Sequence, residues 1–473
     1  VYKSKLLEVY KAFSEKELLQ LRGFVAMSAK MPESPIIKLF EILYKHRKKL
    51  GSKALEKEKA YAKIFDTPFN SKKMRMLMSS LLKVFERYAV MRQIQGNTYQ
   101  YEKALGQFYK QKNLTHHYTS LLSKNLDLID KSEYRGAEHF LKRFQLSHAL
   151  FMEKRLSGVK DTLHLQEAFR DLELLYACYK LRYSSDLYSN NYFLNKDDAY
   201  LRLDHLLEVL LNKEFQVVPF IRIYQTFINA FRSKDPSVYD EIHNMIEENL
   251  NSFDVEEIHA LLVSLLNYRM QTYRSGEAKE KEAALFDLYR IYKLGLQRDA
   301  WLHNDILPSA HFLNIVSSGC TYEDFDFLDS FLTKYIPKLE ESSRESLYQY
   351  ALARIEFSKK NFEKSLEILV NVEFVDIYLA LQAKTLQLQS FYELEGYNLA
   401  MDNFLLSFNA FLKRNKKVYK VHKESYLNMI SITRKLYRNK RLRKKPSDKL
   451  IAEAGNNNVA HRSWIKSKIE ELS

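Results

Sequence analysis

Between residues 312 and 411 one arrangement is written three times, and it limits the possible folds more than any other feature of the chain. In FLNIVSSGCTYEDFDFLDSFLTKY (312–335), ALARIEFSKKNFEKSLEIL (351–369) and LQLQSFYELEGYNLAMDNFLLSF (386–408), an apolar run ends at a short polar or glycine-containing turn. An aromatic follows, Phe325, Phe362 or Tyr397, and three residues later comes Leu328, Ser365 or Ala400. The aromatics recur 37 and then 35 residues apart. A unit of helix, turn and helix this short cannot cover its own apolar side, so neighbours have to stack.

A period in the mid thirties predicts an all-α fold, a TPR-like helical-repeat solenoid (an α-α superhelix) with an N-terminal helical subdomain. The expected divisions are a helical subdomain at residues 1–95, an array of degenerate helical hairpins at 96–300, TPR-like repeats at 301–412, and a basic helix with a capping helix at 413–473. Such repeats want small residues where their helices cross. Ala353, Ser365 and Ala400 fit, whereas Val316, Leu328 and Leu388 are larger and predict wider spacing or other crossing angles.

The scarcity of breakers agrees. With 11 Gly and 8 Pro in 473 residues there are too few turns for a strand-rich fold, so long helices are favoured. The 32 Tyr and 29 Phe against 2 Trp suit helical hairpins filled by flat rings. Ser14 and Glu17 form a capping box with Phe13 before it, and Ser34-Pro35 is a cap with proline at the first helical position. Asn70 caps a longer helix through Met74, Leu77, Met78, Leu81, Phe85 and Tyr88. Asp197-Asp198 opens a helix through Leu201, Leu203, Leu206, Leu207 and Leu210. Pro219, Asp235-Pro236, Ser252 to Asp254, Gly276 and Pro308 are read as hairpin turns. The last stretch, HRSWIKSKIEEL, would dock Trp464, Ile465, Ile469 and Leu472 as a cap.

Cys178 and Cys320 are solitary, which argues against a disulfide framework or a cysteine metal site and for a reducing compartment. No apolar run approaches the roughly 18 residues of a membrane span. The first residues move directly into charged helix without a signal-peptide core, so a cytoplasmic location is expected.

Several stretches together resemble a large, uncharacterised family of bacterial all-helical proteins with degenerate TPR-like repeats in the C-terminal half. They are PFNSKKMRMLMSSLLKVFE (68–86), FLNIV (312–316), FDFLDSFLTKY (325–335), FYELEGYNLAMDNFLLSFNAFLKR (391–414) and RSWIKSKIEEL (462–472). The resemblance spans nearly the whole chain and implies a fold but no activity, so no catalytic residue is carried over. Phe327 stands where related members would have tyrosine or tryptophan, a change that preserves packing.

Sequence motifs for catalysis are missing: there is no phosphate-cradling glycine loop, H-E-x-x-H, EF-hand or nucleophile elbow. No catalytic residue, metal or cofactor is assigned. His116-His117 and the pair His303 and His311 lack metal-ligand spacing. Glu256-Glu257 and Glu340-Glu341 are adjacent on helices and so point to different sides.

What remains are three binding leads. A protein or peptide partner is expected in the groove of first helices, facing Leu313, Ser317, Tyr350, Arg354, Phe357, Gln389 and Tyr392. The alternative is a nucleic acid or other polyanion. Net charge is +15, and residues 413–445 alone hold 14 Lys or Arg against the single acid Glu424. There Arg434, Lys435, Arg438, Lys440, Arg441, Arg443, Lys444 and Lys445 would neutralise phosphates while Tyr419, Tyr426 and Tyr437 stack on bases. The same charge would attract an acidic protein or anionic lipid, or simply keep a helix face solvated. The third lead places Ser71, Lys72, Lys73, Arg75, Ser79 and Lys83 of the helix after Asn70 in a DNA major groove, although AVMRQIQGNTYQYEKAL beyond it reads as helix and not as a β wing.

Overall fold

The computed structural model describes residues 4–29, 31, 33–50, 53–160, 162–190, 202–275, 278–370, 372, 376–394, 398–415, 418–456 and 458–473. Tyr397, Asp197-Asp198, Leu201 and Gly276 lie outside them. Among the described residues the backbone is all-helical, without a strand; one isolated bridge joins His303 and Ile306. Contacts divide the chain into two compact units, Val1–Lys131 with Gln145–Ala168, and Ser132–Phe144 with Phe169–Ser473.

The first unit contains α1 (Lys5–Lys11), α2 (Glu15–Ser28), α3 (Pro35–Lys45), α4 (Lys57–Ala62), α5 (Ser71–Gly96), α6 (Thr98–Gln111) and α7 (Thr115–Asp130). The local signals act as read: Ser14 and Glu17 cap each other's backbone, Pro35 sits in the first turn of α3, and the Asn70 side chain accepts from Lys73 N. Helix α5 carries Met74, Leu77, Met78, Leu81, Phe85 and Tyr88 inward, and α1 to α4 wrap that face. Tyr10, Phe40 and Phe85 meet as a triangle of rings with centroids 5.9–6.3 Å apart. The buried residues of this core run from Leu6 to Tyr88, and Met91 packs against them.

Two long helices, α8 (Ala137–Leu156) and α9 (Leu163–Ser189), begin in one unit and end in the other. The second unit continues with α10 (Leu203–Val209), α11 (Lys213–Gln216), α12 (Pro219–Ser233), α13 (Tyr239–Glu248), α14 (Val255–Ser275) and α15 (Ala278–Gln297). Pro219 opens α12, so it starts a helix and does not sit in a turn, and the Asp235-Pro236 and Ser252 to Asp254 stretches separate helices as expected. Helices α16 (Ser309–Thr321), α17 (Phe325–Tyr335), α18 (Arg344–Ser358), α19 (Phe362–Val370), α20 (Ile377–Glu393) and α21 (Asn398–Arg414) follow as pairs. Then come α22 (Lys420–Leu442), α23 (Asp448–Gly455) and α24 (Arg462–Leu472).

Two of the three written units share the backbone of their turn. Glu323 and Lys360, 37 residues apart, are both left-handed, with φ of 52° and 64°. Each is followed by an N–H that reaches back five residues, Asp324 to Gly319 O and Asn361 to Glu356 O, the bond that closes a Schellman turn. The second helix then starts on the repeating aromatic, Phe325 or Phe362. First helices touch in succession, α16 with α18 and α18 with α20, while α19 also packs on α20. Room at the crossings has two sources. In α18 and α19 it is Ala353 and Ser365, both fully buried, as the sequence indicates. In α16 and α17 the space comes from Gly319, where an added Cβ would lie 2.6 Å from the Leu328 side chain. A large residue at 328 therefore requires no wider spacing, because glycine lies opposite it.

Helix α20 is the wall between two cores. Leu379, Ala383 and Leu386 face the large core that begins at Ala137, and Leu381, Leu388 and Tyr392 face a second one built with α21, α22, α23 and α24. Both sides of the helix are covered, which is why ten of its 17 residues are buried.

Candidate functional site

A cleft of about 580 Å³ opens between the N-terminal halves of α16, α18 and α20. Its floor is apolar: Leu347 and Leu379 are buried and Leu313 is half-buried. Around it stand Ser309, Asn314, Ser342, Ser343, Tyr378 and Gln382, with the Glu340 and Asp376 carboxylates at the edge and no lysine or arginine in the lining among the described residues. Local bonds fix the walls. The Asp376 side chain accepts from Leu379 N at 2.7 Å and so defines the first turn of α20. Asn314 Nδ2 donates to the Tyr292 hydroxyl at 2.8 Å, while Leu307 N donates to Lys338 O at 2.8 Å and ties together the loops flanking the α16 and α17 pair. An apolar floor ringed by hydroxyl and amide groups can hold a short peptide by its side chains and hydrogen-bond its backbone.

Of the residues expected to face a groove, Leu313 lines this cleft. Tyr350, Gln389 and Tyr392 do not face solvent: they are 5%, 5% and 1% exposed. Tyr350 belongs to the large core, and Tyr392 is covered by the C-terminal segment. The Tyr392 ring lies 5.9 Å from Tyr437 of α22 and 5.3 Å from Trp464 of α24, with the Lys440 ammonium 5.0 Å above it. Ser317 and Arg354 are half-buried, and the half-buried Phe357 turns edge-on to Phe362 at 5.2 Å and packs on the core.

The basic segment is partly spoken for. Lys440 Nζ donates to Tyr392 O at 2.8 Å, and Lys435 is paired with Glu453 on α23. Arg434, Arg438, Arg441, Arg443, Lys444 and Lys445 are exposed, and none has an acidic partner among the described residues. Arg434, Arg438 and Arg441 share one face of α22, and the other three follow its end, where cations also suit the helix dipole. Stacking support fails, however: Tyr437 is buried, Tyr426 is half-buried, and the exposed Tyr419 lies at the far end of the helix, about 22 Å from Arg434. On α5, Ser71, Lys72, Lys73, Arg75, Ser79 and Lys83 are exposed, but the chain continues from Gly96 into α6, so no wing accompanies them.

Three features escaped the sequence. Between α5 and α6 of the first unit, Val90, Met91, Ile94, Tyr101, Ala104 and Leu105 form an open apolar cleft of about 690 Å³. In the second unit Glu257 is buried, accepting from Arg182 Nη1 at 2.6 Å and from the Tyr224 hydroxyl at 2.5 Å. A third is the buried Arg269 and Asp287 pair, 2.5 Å apart. Glu256, next in sequence to Glu257, points to solvent, so that doublet is split between the two sides of α14 as expected. The His311 ring lies tilted against Trp301 with centroids 4.8 Å apart and His116-His117 are exposed; no group of three or more His, Cys, Asp or Glu among the described residues could hold a metal. Cys178 and Cys320 are free and buried. No described helix is long and apolar enough to cross a membrane.

Fold and cleft define a class: an all-helical chain whose later part pairs helices in succession and leaves a cleft between their first members. Neither family models, nor curated proteins, nor solved structures offer a match to this chain.

Proposed function

We propose that the chain is a non-enzymatic scaffold whose second unit is a TPR-like α-α superhelix binding a protein or peptide partner. The observation that carries this is the cleft between α16, α18 and α20. The repeated left-handed turn at Glu323 and Lys360 and the contact of each first helix with the next support the repeat reading. The resemblance to the bacterial repeat family and a cytoplasmic location belong to the same proposal. With Glu340 and Asp376 at its edge and no cation in its lining, the cleft suits a segment that offers apolar side chains beside a lysine or arginine. Leu313→Arg, which puts a cation and bulk into the cleft, is expected to weaken capture of a co-purifying partner roughly tenfold or more while circular dichroism stays unchanged. Gln382→Arg, on the facing helix, should act alike. Capture that is indifferent to both would remove the cleft from the proposal.

The six exposed cations on and after α22 favour a second reading, a polyanion bound through phosphates alone. Arg438→Ala, Arg441→Ala and Arg443→Gly together, glycine because Arg443 is left-handed at φ 49°, should flatten the salt dependence of binding to a labelled duplex. The expected change is about 2 to 3 in the slope of log affinity against log salt, near 0.9 per phosphate contact. An unchanged slope, or no binding by the parent protein, ends this reading.

A further inference from the structure

Helix α9, like α20, is apolar on two opposite faces, but one of them is uncovered. In the part that belongs to the second unit, Leu174, Ala177, Cys178, Leu181 and Tyr188 point into the core. The opposite side carries Phe169, Leu172, Tyr176 and Tyr183, exposed, and between them Tyr179, half-buried and packed on the edge of the core, spaced by three, four, three and four residues. Phe169, Leu172, Tyr176 and Tyr183 are 63%, 46%, 57% and 59% exposed, and the Tyr179 and Tyr183 rings stack on each other 5.7 Å apart. Alternation of three and four is the spacing that keeps a seam turned toward a partner helix over two heptads. A rigid helix already packed along its other face would spend no ordering entropy in docking.

We propose that this stripe is the contact between two copies of the chain, joined as an antiparallel helix pair about a two-fold axis. Charge placement selects that partner and that direction. Glu173 and Lys180 flank the stripe on one side, seven residues apart. When two copies run antiparallel with Tyr176 of one layered on Tyr179 of the other, and Leu172 on Tyr183, Glu173 of each copy falls beside Lys180 of its mate. The same attraction is thus made twice, as a self-complementary interface requires. Run parallel, Glu173 faces Ala168 and Lys180 faces Leu175, and no opposite charges meet. This interface is independent of the cleft between α16, α18 and α20.

Sedimentation of the full chain over a range of concentrations tests it, with circular dichroism as the check on folding. The parent protein is expected to dimerise reversibly. Glu173→Lys and Lys180→Glu, each placing like charges together at two points, should each weaken the dimer about tenfold or more. The double exchange, Glu173→Lys with Lys180→Glu, should restore it, which no folding defect would mimic. A Glu173→Cys, Lys180→Cys protein should form a disulfide-linked dimer under mild oxidation. A parent that stays monomeric throughout, or single variants that weaken the dimer without rescue by the double exchange, overturns the proposal; the first outcome would leave the stripe to a helix of some other chain.

Discussion

Tyr392→Ala is expected to destabilise the C-terminal part of the second unit by about 3 to 5 kcal/mol, in the range for truncating a fully buried aromatic. The ring is 1% exposed and holds three contacts at once: Tyr437, Trp464 and the Lys440 ammonium. Removing it opens a cavity between α20 and the two helices that cover it. Lys440 keeps its bond to the Tyr392 carbonyl, so the loss is one of packing and not of that tether. Trp464 is one of only two tryptophans, and its emission should shift to the red at lower denaturant than in the parent. The buried hydroxyl of Tyr392 has no hydrogen-bond partner among the described residues, so Tyr392→Phe should be neutral or slightly stabilising. If Tyr392→Ala unfolds at the same denaturant concentration as the parent, the ring does not hold these helices together.

Glu257→Ala is the second large effect, again about 3 to 5 kcal/mol, because it strands a half-buried guanidinium and a fully buried phenol. Arg182 loses the carboxylate 2.6 Å away, and its Nε already has no partner among the described residues; Tyr224 loses its acceptor. The same carboxyl makes stability depend on pH. Burial pushes Glu257 from an ordinary 4.5 to about 7, outweighing the attraction of Arg182 and the hydrogen bond from Tyr224. The folded state therefore holds this proton more tightly than the unfolded chain. The linked stabilisation is fully present below the unfolded pKa and is lost as pH rises through the folded one. Between pH 5 and 8 the parent should lose on the order of 3 kcal/mol relative to Glu257→Gln, whose amide cannot titrate. Parallel denaturation curves of the two proteins across that interval measure the difference, and a constant gap would show that the carboxyl stays ionised when buried.

Much of the local structure is legible because its causes are local. Ser14 with Glu17, Pro35 and Asn70 set helix starts through bonds spanning two or three residues. The aromatics Phe325 and Phe362 mark the second helices of their pairs for the same kind of reason, since the turn before each is closed by a bond reaching back only five residues. A helical period likewise reports that a face is apolar. It does not report what will cover that face.

That decision belonged to the tertiary structure. Tyr350, Gln389 and Tyr392 have the chemistry of groove residues, and they are buried; Tyr392 lies against helices that arrive 45 and 72 residues later, with Tyr437 and Trp464. Leu313, on a similar helix, is left in the cleft. Gly319 offsets Leu328 across a turn, and Glu257 finds Arg182 75 residues away, so neither environment can be read from neighbours in sequence. The sequence determined where helices form and which of their faces are apolar, because caps, turns and periodicity act within a few residues. Only the packing of distant segments decided which faces became core and which remain open to a partner, because that burial depends on where the chain returns in space.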